Sequence, residues 1–354
     1  MNRRKSRYLS KAGRNTIFYT FIFGLLFVIL TPIFFVVSLS FLSTREAYQY
    51  PLPLLPELVT DFKLEGGEKG YLVSVYDKFE GEYQTVQDTD DMEKLSVYFR
   101  SQLSVYMSPD EIAEQAAIYD ETGEPVYFNG RKNLIHNYNT FFRITRDAGS
   151  AFFRSIQIAL MTIAISLVIG GMAGYSFARY LFRGRNALKF SILFVRMFPG
   201  VAIAIPMVII LVNLGFYDQP IGLALVYSVG AIALTIWITA SIFIGIPVSI
   251  EEAAEVFGAT KTRAFIRITL PLALPGLAAA AMYAFLGAWN ETIAAIILTQ
   301  FNPTFSVVVY QSLLGSVGQV NLAAAGGIVM ALPAVFFTFL IRRYINQMWG
   351  GITF

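Results

Sequence analysis

The sequence predicts an all-α polytopic membrane protein with six transmembrane helices and a small α+β extracytoplasmic insertion. Three observations carry this. Of 354 residues, 55% are apolar and only 14% charged, where a soluble domain carries about 25% charge. The apolar residues gather into six runs that can each cross a hydrocarbon core of about 30 Å. The charges are also unevenly divided: 19 acids and 10 bases between Arg45 and Asp147 give −9, whereas 17 bases and 5 acids elsewhere give +12. With no cysteine and a single histidine, His136, a disulfide scaffold, a thiolate zinc site, a cysteine nucleophile and a HExxH metalloprotease are excluded.

Residues 1–16 form a basic N-terminus with Arg3, Arg4, Lys5, Arg7, Lys11 and Arg14. The run 17–42 that follows would measure about 39 Å as a helix. It is too long for a signal-peptide core and lacks an A-x-A exit, so it reads as a retained anchor with the N-terminus in the cytoplasm. The acidic stretch 43–131 reads as a small folded domain: a strand at Tyr71–Tyr76, a helix at Asp110–Tyr119 after the Ser108-Pro109 start signal, and another strand at Glu124–Phe128. Pro51-Leu-Pro-Leu-Leu-Pro56 reads as a stiff exit from the membrane. His136 has no second ligand at a metal-binding spacing and is read as a packing or surface histidine.

Five further runs lie within a core spanning 132–342: Ala151–Ala178, Phe190–Leu211, Ile221–Ile244, Leu272–Leu298 and Leu322–Ile341. Six crossings place both termini, including the tail 343–354, in the cytoplasm. The basic groups Arg179/Arg183/Arg185/Lys189, Lys261/Arg263/Arg267 and Arg342/Arg343 then all fall inside. Small residues at Gly170, Gly171 and Gly174, at Ala278–Ala281 and at Ala323–Gly327 suit close helix packing.

The most informative stretch is Pro247–Pro271, assigned to the cytoplasm. Ser249 and Glu252 have the S-x-x-E spacing of a capping box opening a short helix. Gly258 suits the left-handed position that ends it. Thr260 can cap a second short helix, which Pro271 should keep from running unbroken into the next span. Val256, Phe257, Phe265 and Ile266 supply apolar anchors for this helix pair. On physics alone, a docking element and an amphipathic loop resting on lipid headgroups both remain open.

The stretch resembles the EAA motif of ABC-importer permeases, EAA-x3-G-x9-I-x-L-P: Glu252, Ala253, Ala254, Gly258, Ile268, Leu270 and Pro271 match every fixed position. Ala173–Arg179, Met197-Phe-Pro-Gly200 and Ala288-Trp-Asn-Glu291 agree with the MalG-like branch of carbohydrate permeases. The acidic insertion departs from that pattern. The resemblance implies the type I ABC-importer permease fold, with the helix pair at 247–271 seated in a cytoplasmic ATPase dimer. It implies further partners: a second, MalF-like permease subunit, an extracytoplasmic solute-binding protein, membrane lipid and a sugar or oligosaccharide substrate, with no nucleic acid. ATP and Mg belong to the partner ATPase, and no catalytic or metal residue is expected on this chain. In agreement, the sequence has no G-x-x-x-x-G-K-[ST] loop.

Glu291 is the one acid inside an apolar run, a placement that costs about 2.5–3.5 kcal/mol at mid-membrane unless paired or wetted. The resemblance places Trp289, Asn290 and Glu291 on the translocation path; a helix–helix hydrogen bond is the competing role for Glu291. Arg196 can simply snorkel and is given no site role. A secondary carrier protonated at Glu291 would need an inverted repeat, which is not visible, and would leave the EAA match unexplained. A membrane-tethered sensor would lack a cytoplasmic output domain.

Overall fold

The computed structural model describes the backbone of residues 2–145, 147–314 and 319–349, with side chains from residue 15 onward and none at 343 or beyond 344. The side chains of the N-terminal basic cluster, Arg343 and the tail past residue 349 lie outside the described residues. Five helices are long and apolar enough to cross a membrane, or six if one sharply bent pair counts as a single span. The chain divides into two compact units, one formed by 1–144 with 315–328 and the other by 145–314 with 329–354.

The first unit begins with α1 (Asn2–Leu39). A short α2 (Thr44–Ala47) follows, capped by Ser43 with Glu46 reaching back. An antiparallel sheet then forms from β1 (Val59–Gly66), β2 (Tyr71–Asp77), β3 (Glu82–Thr89) and β4 (Val126–Arg131), in the order β3-β2-β1-β4. Between β3 and β4 lie α3 (Met92–Leu103), capped by Asp91, and α4 (Pro109–Thr122), which has a full Ser108/Glu111 capping box and ends at Gly123 in the left-handed conformation. Strand alternation aims Phe62 and Leu64 of β1 and Val73 and Val75 of β2 at one face. There they join Leu95, Phe99, Ile112 and Ala116 of the two helices in a single core. On the opposite face Asp61 and Lys63 of β1 are half-buried, and Ser74 of β2 is buried beside Thr85.

The folded unit continues past residue 131. Lys132 is buried against Glu46 at 2.5 Å, and burial pushes its ammonium below the usual lysine range against the pull of Glu46. Then α5 (His136–Ile144) starts with His136 buried. Its Nδ1 lies 2.9 Å from the Tyr106 hydroxyl and its Nε2 3.3 Å from that of Thr140, which makes it a packing residue. Asn137 ties this helix to the end of α1 by donating to the carbonyls of Ser40 and Leu42 at 2.9 and 2.7 Å. The proline-rich stretch is not an exit strut. It folds back, and Ser38 in the last turn of α1 donates to the Leu54 carbonyl.

In the second unit α6 (Ala148–Arg179) and α9 (Pro220–Gly245) are the central pair. Gly174 makes their close approach possible, since a Cβ there would run into Thr239 and the backbone of Ala240. Span three is not one helix: α7 (Arg185–Val195) and α8 (Gly200–Asn213) meet at 88°. The break falls at Phe198-Pro199-Gly200, where the proline cannot donate a helical hydrogen bond and instead becomes the cap of α8.

After α10 (Val248–Val256) the chain runs through α11 (Lys261–Ala264), a π turn (Phe265–Thr269) and α12 (Leu270–Trp289), counted together as one 29-residue span. Pro271 was expected to break this path and does not. The π turn lying just before it widens the helix where the proline ring would otherwise meet the carbonyl four residues earlier. Conversely, the run Leu272–Leu298 is interrupted: α12 ends at Trp289 and a separate α13 (Ile293–Leu298) follows, then α14 (Phe305–Leu314) and α15 (Val320–Trp349).

Candidate functional site

The loop at 247–271 is built from local sequence. Its first helix starts two residues earlier than expected, with Pro247 as the cap and Ser249 already inside, so the Ser249/Glu252 capping box does not form. The far end behaves as read: Gly258 has φ +88°. Its N–H donates to Glu255 at 2.9 Å while that of Ala259 donates to Ala254 at 3.0 Å. Together these are the two hydrogen bonds of a Schellman motif. Thr260 then caps α11 through the Arg263 N–H.

The loop has a buried foot and an exposed face. The foot is Glu251, which sequence reasoning missed. Arg179, at the end of α6, donates to Glu251 Oε1 from Nε at 2.9 Å and from Nη2 at 2.5 Å, while Tyr175 donates to Oε2 at 2.8 Å. The third guanidinium nitrogen of Arg179 donates to the Phe243 carbonyl on α9 at 2.7 Å. Both charged side chains are buried, 7% and 9% exposed. Burial pushes the Glu251 carboxyl upward, but hydrogen bonding, from Arg179 first and then from Thr269 and Tyr175, outweighs it and holds its pKa below the usual glutamate value. Phe265 is also part of the foot rather than a free anchor, packing on Tyr175 and Phe243.

The exposed face carries Val256 and Phe257, the latter 91% exposed, with Glu252, Ala253 and Glu255 beside them. Glu252 has no hydrogen bond or ion pair to any described residue. Ala254 is half-buried under the first helix, and Ile268 and Leu270 are half-buried around the π turn; Pro271 is exposed at the start of α12. Lys261 and Arg263 are exposed on the second helix and Arg267 on the π turn that follows it.

The second candidate site is where α12 stops. Glu291 sits in the gap before α13, and its Oε1 accepts the Ala294 N–H at 2.9 Å. It lines a cavity of about 280 Å³ together with Arg196 at the α7/α8 break, Tyr227 of α9, Phe198, Tyr283 and Gly287. The Tyr227 hydroxyl is buried there without a hydrogen-bond partner among the described residues. Trp289, expected beside the path, does not line this cavity. It is buried between Phe152 and Phe285, and its indole N–H donates to the Met330 carbonyl at 2.9 Å. Asn290 is exposed and caps α12 without reaching the cavity. Arg196 and Tyr227 are gained instead. The signal for Arg196 was Pro199-Gly200, which breaks the span; Tyr227 had none, since one tyrosine in an apolar helix reads as packing. Among the described residues no group of three or more metal-ligating side chains could hold an ion.

Paired central helices, a broken span and an amphipathic loop with a buried foot define a multi-pass membrane transport component. Residues 166–349 match the family described as binding-protein-dependent transport system inner membrane component, and the chain belongs to that family. It is 35% identical over 219 residues to the trehalose transport system permease protein SugB of Mycobacterium tuberculosis, covering 59% of this chain and 77% of that one. It is 32% identical over 206 residues to the maltodextrin transport system permease protein MdxG of Bacillus subtilis, covering 57% and 74%. A solved bacterial ABC transporter involved in alginate import shares the fold at TM-score 0.57, with 19% identity over 95% of this chain and 98% of that one. The chain is thus a transmembrane permease subunit of an ABC importer, a transporter component rather than a catalytic subunit.

Proposed function

We propose that the chain carries a sugar or oligosaccharide across the membrane in a complex with a second, MalF-like permease, a cytoplasmic ATPase dimer that binds ATP and Mg, and an extracytoplasmic solute-binding protein. The single observation that carries the coupling half of this reading is the loop at 247–264: a buried foot tied to two spans beneath an exposed Phe257 and an unpartnered Glu252. Such a loop accepts a partner on one side and passes its motion to the bundle on the other. Both termini and the loop lie in the cytoplasm, and the insertion lies outside.

The transport half rests on the cavity. An apolar wall interrupted by a carboxylate, a guanidinium and an unsatisfied hydroxyl offers hydrogen bonds to a polyhydroxylated solute without binding it tightly. The sugar class is supported by the trehalose and maltodextrin permeases among the relatives. Closure of the ATPase pair on ATP would move the loops and switch the cavity's access from one side to the other.

The test is reconstitution with the partner chains in proteoliposomes, scoring ATP hydrolysis and uptake across a panel of mono- and oligosaccharides. Stimulation by at least one saccharide together with its binding protein is expected. Uptake driven by a proton or sodium gradient without ATP would overturn the reading in favour of a secondary carrier.

A further inference from the structure

Where α1 ends, the chain turns back on it. The Ser38 hydroxyl lies in the last turn of the span Asn15–Leu39 and donates to the Leu54 carbonyl at 2.5 Å. Residues near Leu54 are therefore held at the level where α1 leaves the hydrocarbon. Their side chains are apolar and uncovered: Tyr50, Leu52, Leu54, Leu55 and Leu58 are exposed, and none belongs to the core of the insertion. Phe79, from the turn between β2 and β3, is exposed too and joins Leu54, Leu55 and Leu58 along an open groove of about 670 Å³. The groove is also lined by Asp61 and by an ion pair, Lys78 to Glu57 at 3.3 Å.

A soluble surface scatters its apolar residues singly, whereas a contiguous aliphatic patch marks a contact site. What this patch contacts is indicated by its neighbour. Ile33, Phe34, Phe35, Val36 and Val37 of α1 are exposed up to the same turn, and in a transmembrane helix such a surface faces lipid or another span. The patch continues that surface outward. Leucines with a tyrosine, beside a lysine whose long side chain can rise to the phosphates, are the composition of the boundary between acyl chains and headgroups. We infer that the tip formed by residues 50–58 and Phe79 is a lipid-contact element, which seats the insertion on the leaflet where α1 emerges.

The absence of cysteine from the sequence makes the test direct. Leu55→Cys, Phe79→Cys and, as a control on the exposed side of α4, Glu114→Cys are each labelled with an environment-sensitive fluorophore. The full transporter is then placed in nanodiscs of phosphatidylcholine with plain or brominated acyl chains. The expected result is blue-shifted emission at 55 and 79 that brominated lipid quenches, with neither effect at 114. Blue-shifted emission that brominated lipid leaves unquenched would overturn the inference in favour of a protein partner, as would a shift appearing only when the binding protein is added. Solvent-like emission at 55 and 79, or equal quenching at all three positions, would also refute it.

Discussion

Arg179→Ala is the sharpest perturbation of the coupling loop. In the intact protein the guanidinium spends its donors on Glu251 and on the Phe243 carbonyl, and less than a tenth of either charged side chain meets solvent. Removing one member of such a buried pair leaves the other charge unpaired, at a cost of about 3–5 kcal/mol. Surface screening gives little relief here. Only neutral hydroxyl donors such as Tyr175 then remain to Glu251, so the carboxylate is relieved most readily by the first helix lifting off its foot. At 1.4 kcal/mol per factor of ten, that is a rise in local opening of roughly 10²-fold to several thousand-fold. Hydrogen exchange of the amides in 248–256, measured on the assembled transporter, should accelerate by this factor while α9 exchanges as before. Glu251→Gln keeps an acceptor and should give a smaller rise. Replacing both residues by apolar ones, Arg179→Met with Glu251→Leu, should restore much of the protection, because no charge is then stranded. Unchanged exchange in Arg179→Ala would refute the foot. The pH dependence has a definite sign. The Glu251 pKa is depressed in the folded state, so the stabilisation is complete above the unfolded glutamate value of about 4.3 and is lost as pH falls through the lower folded value.

Glu252 is exposed and has no described partner, so Glu252→Lys should leave stability unchanged yet weaken ATPase retention by about 2–5 kcal/mol, read by copurification. Full retention would remove Glu252 from the docking surface. At Gly258 a Cβ meets nothing within 4 Å, so Gly258→Ala should cost only the conformational penalty of about 1–2 kcal/mol; uncoupling greater than that in transport per ATP would locate a clash with the partner. Glu291→Gln can still accept the Ala294 N–H and should transport better than Glu291→Leu, which loses a cap worth about 1 kcal/mol. Tyr227→Phe should fold as well as the parent and raise the KM for uptake; an unchanged KM takes the hydroxyl out of the path. His136 is buried, and burial together with Arg143 and Arg100 lowers its pKa. The insertion should therefore lose stability as pH drops below about 6.5, and His136→Phe should flatten that slope in thermal melts.

The spans were legible because bilayer length and apolar composition admit few readings, and α6, α9 and α15 fall close to the runs that announced them. What the sequence concealed were the interruptions. Phe198-Pro199-Gly200 is a break signal inside an unbroken apolar run, so hydropathy averaged it away. The turn at Asn290–Thr292 contains neither glycine nor proline, and it forms where Glu291 and Ser306 can bond to the backbone. At Pro271 the reverse occurred: a breaker was present, and a π turn absorbed it. In the insertion, β2, β4 and α4 were visible from β-branched and capping signals. β3 is largely polar, and β1 alternates Phe62 and Leu64 with charged residues that also suit a loop. Glu251 was hidden by its neighbour, since one acid of a consecutive pair was matched to the EAA motif and the other left without a role.

That division between the two acids explains how one short loop can both bind and transmit. A docking surface needs residues whose partners are absent from the chain, and Glu252, Val256 and Phe257 are of that kind. A lever also needs a base that does not yield when the surface is pushed. Glu251 supplies it on the first helix by bonding to the ends of α6 and, through Arg179, α9. On the second, the base is covalent: α11 continues through the π turn into α12 without a hinge, with Phe265 wedged against Tyr175 and Phe243. A displacement applied at Phe257 would therefore reach three spans together, two through one buried ion pair and one through the helix itself. Because the routes are distinct, they can be separated. Arg179→Ala should slacken the first and leave the second, giving a transporter that keeps its ATPase while moving fewer solutes per ATP; complete loss of ATPase binding in that variant would mean that the foot shapes the docking face and is not a strut.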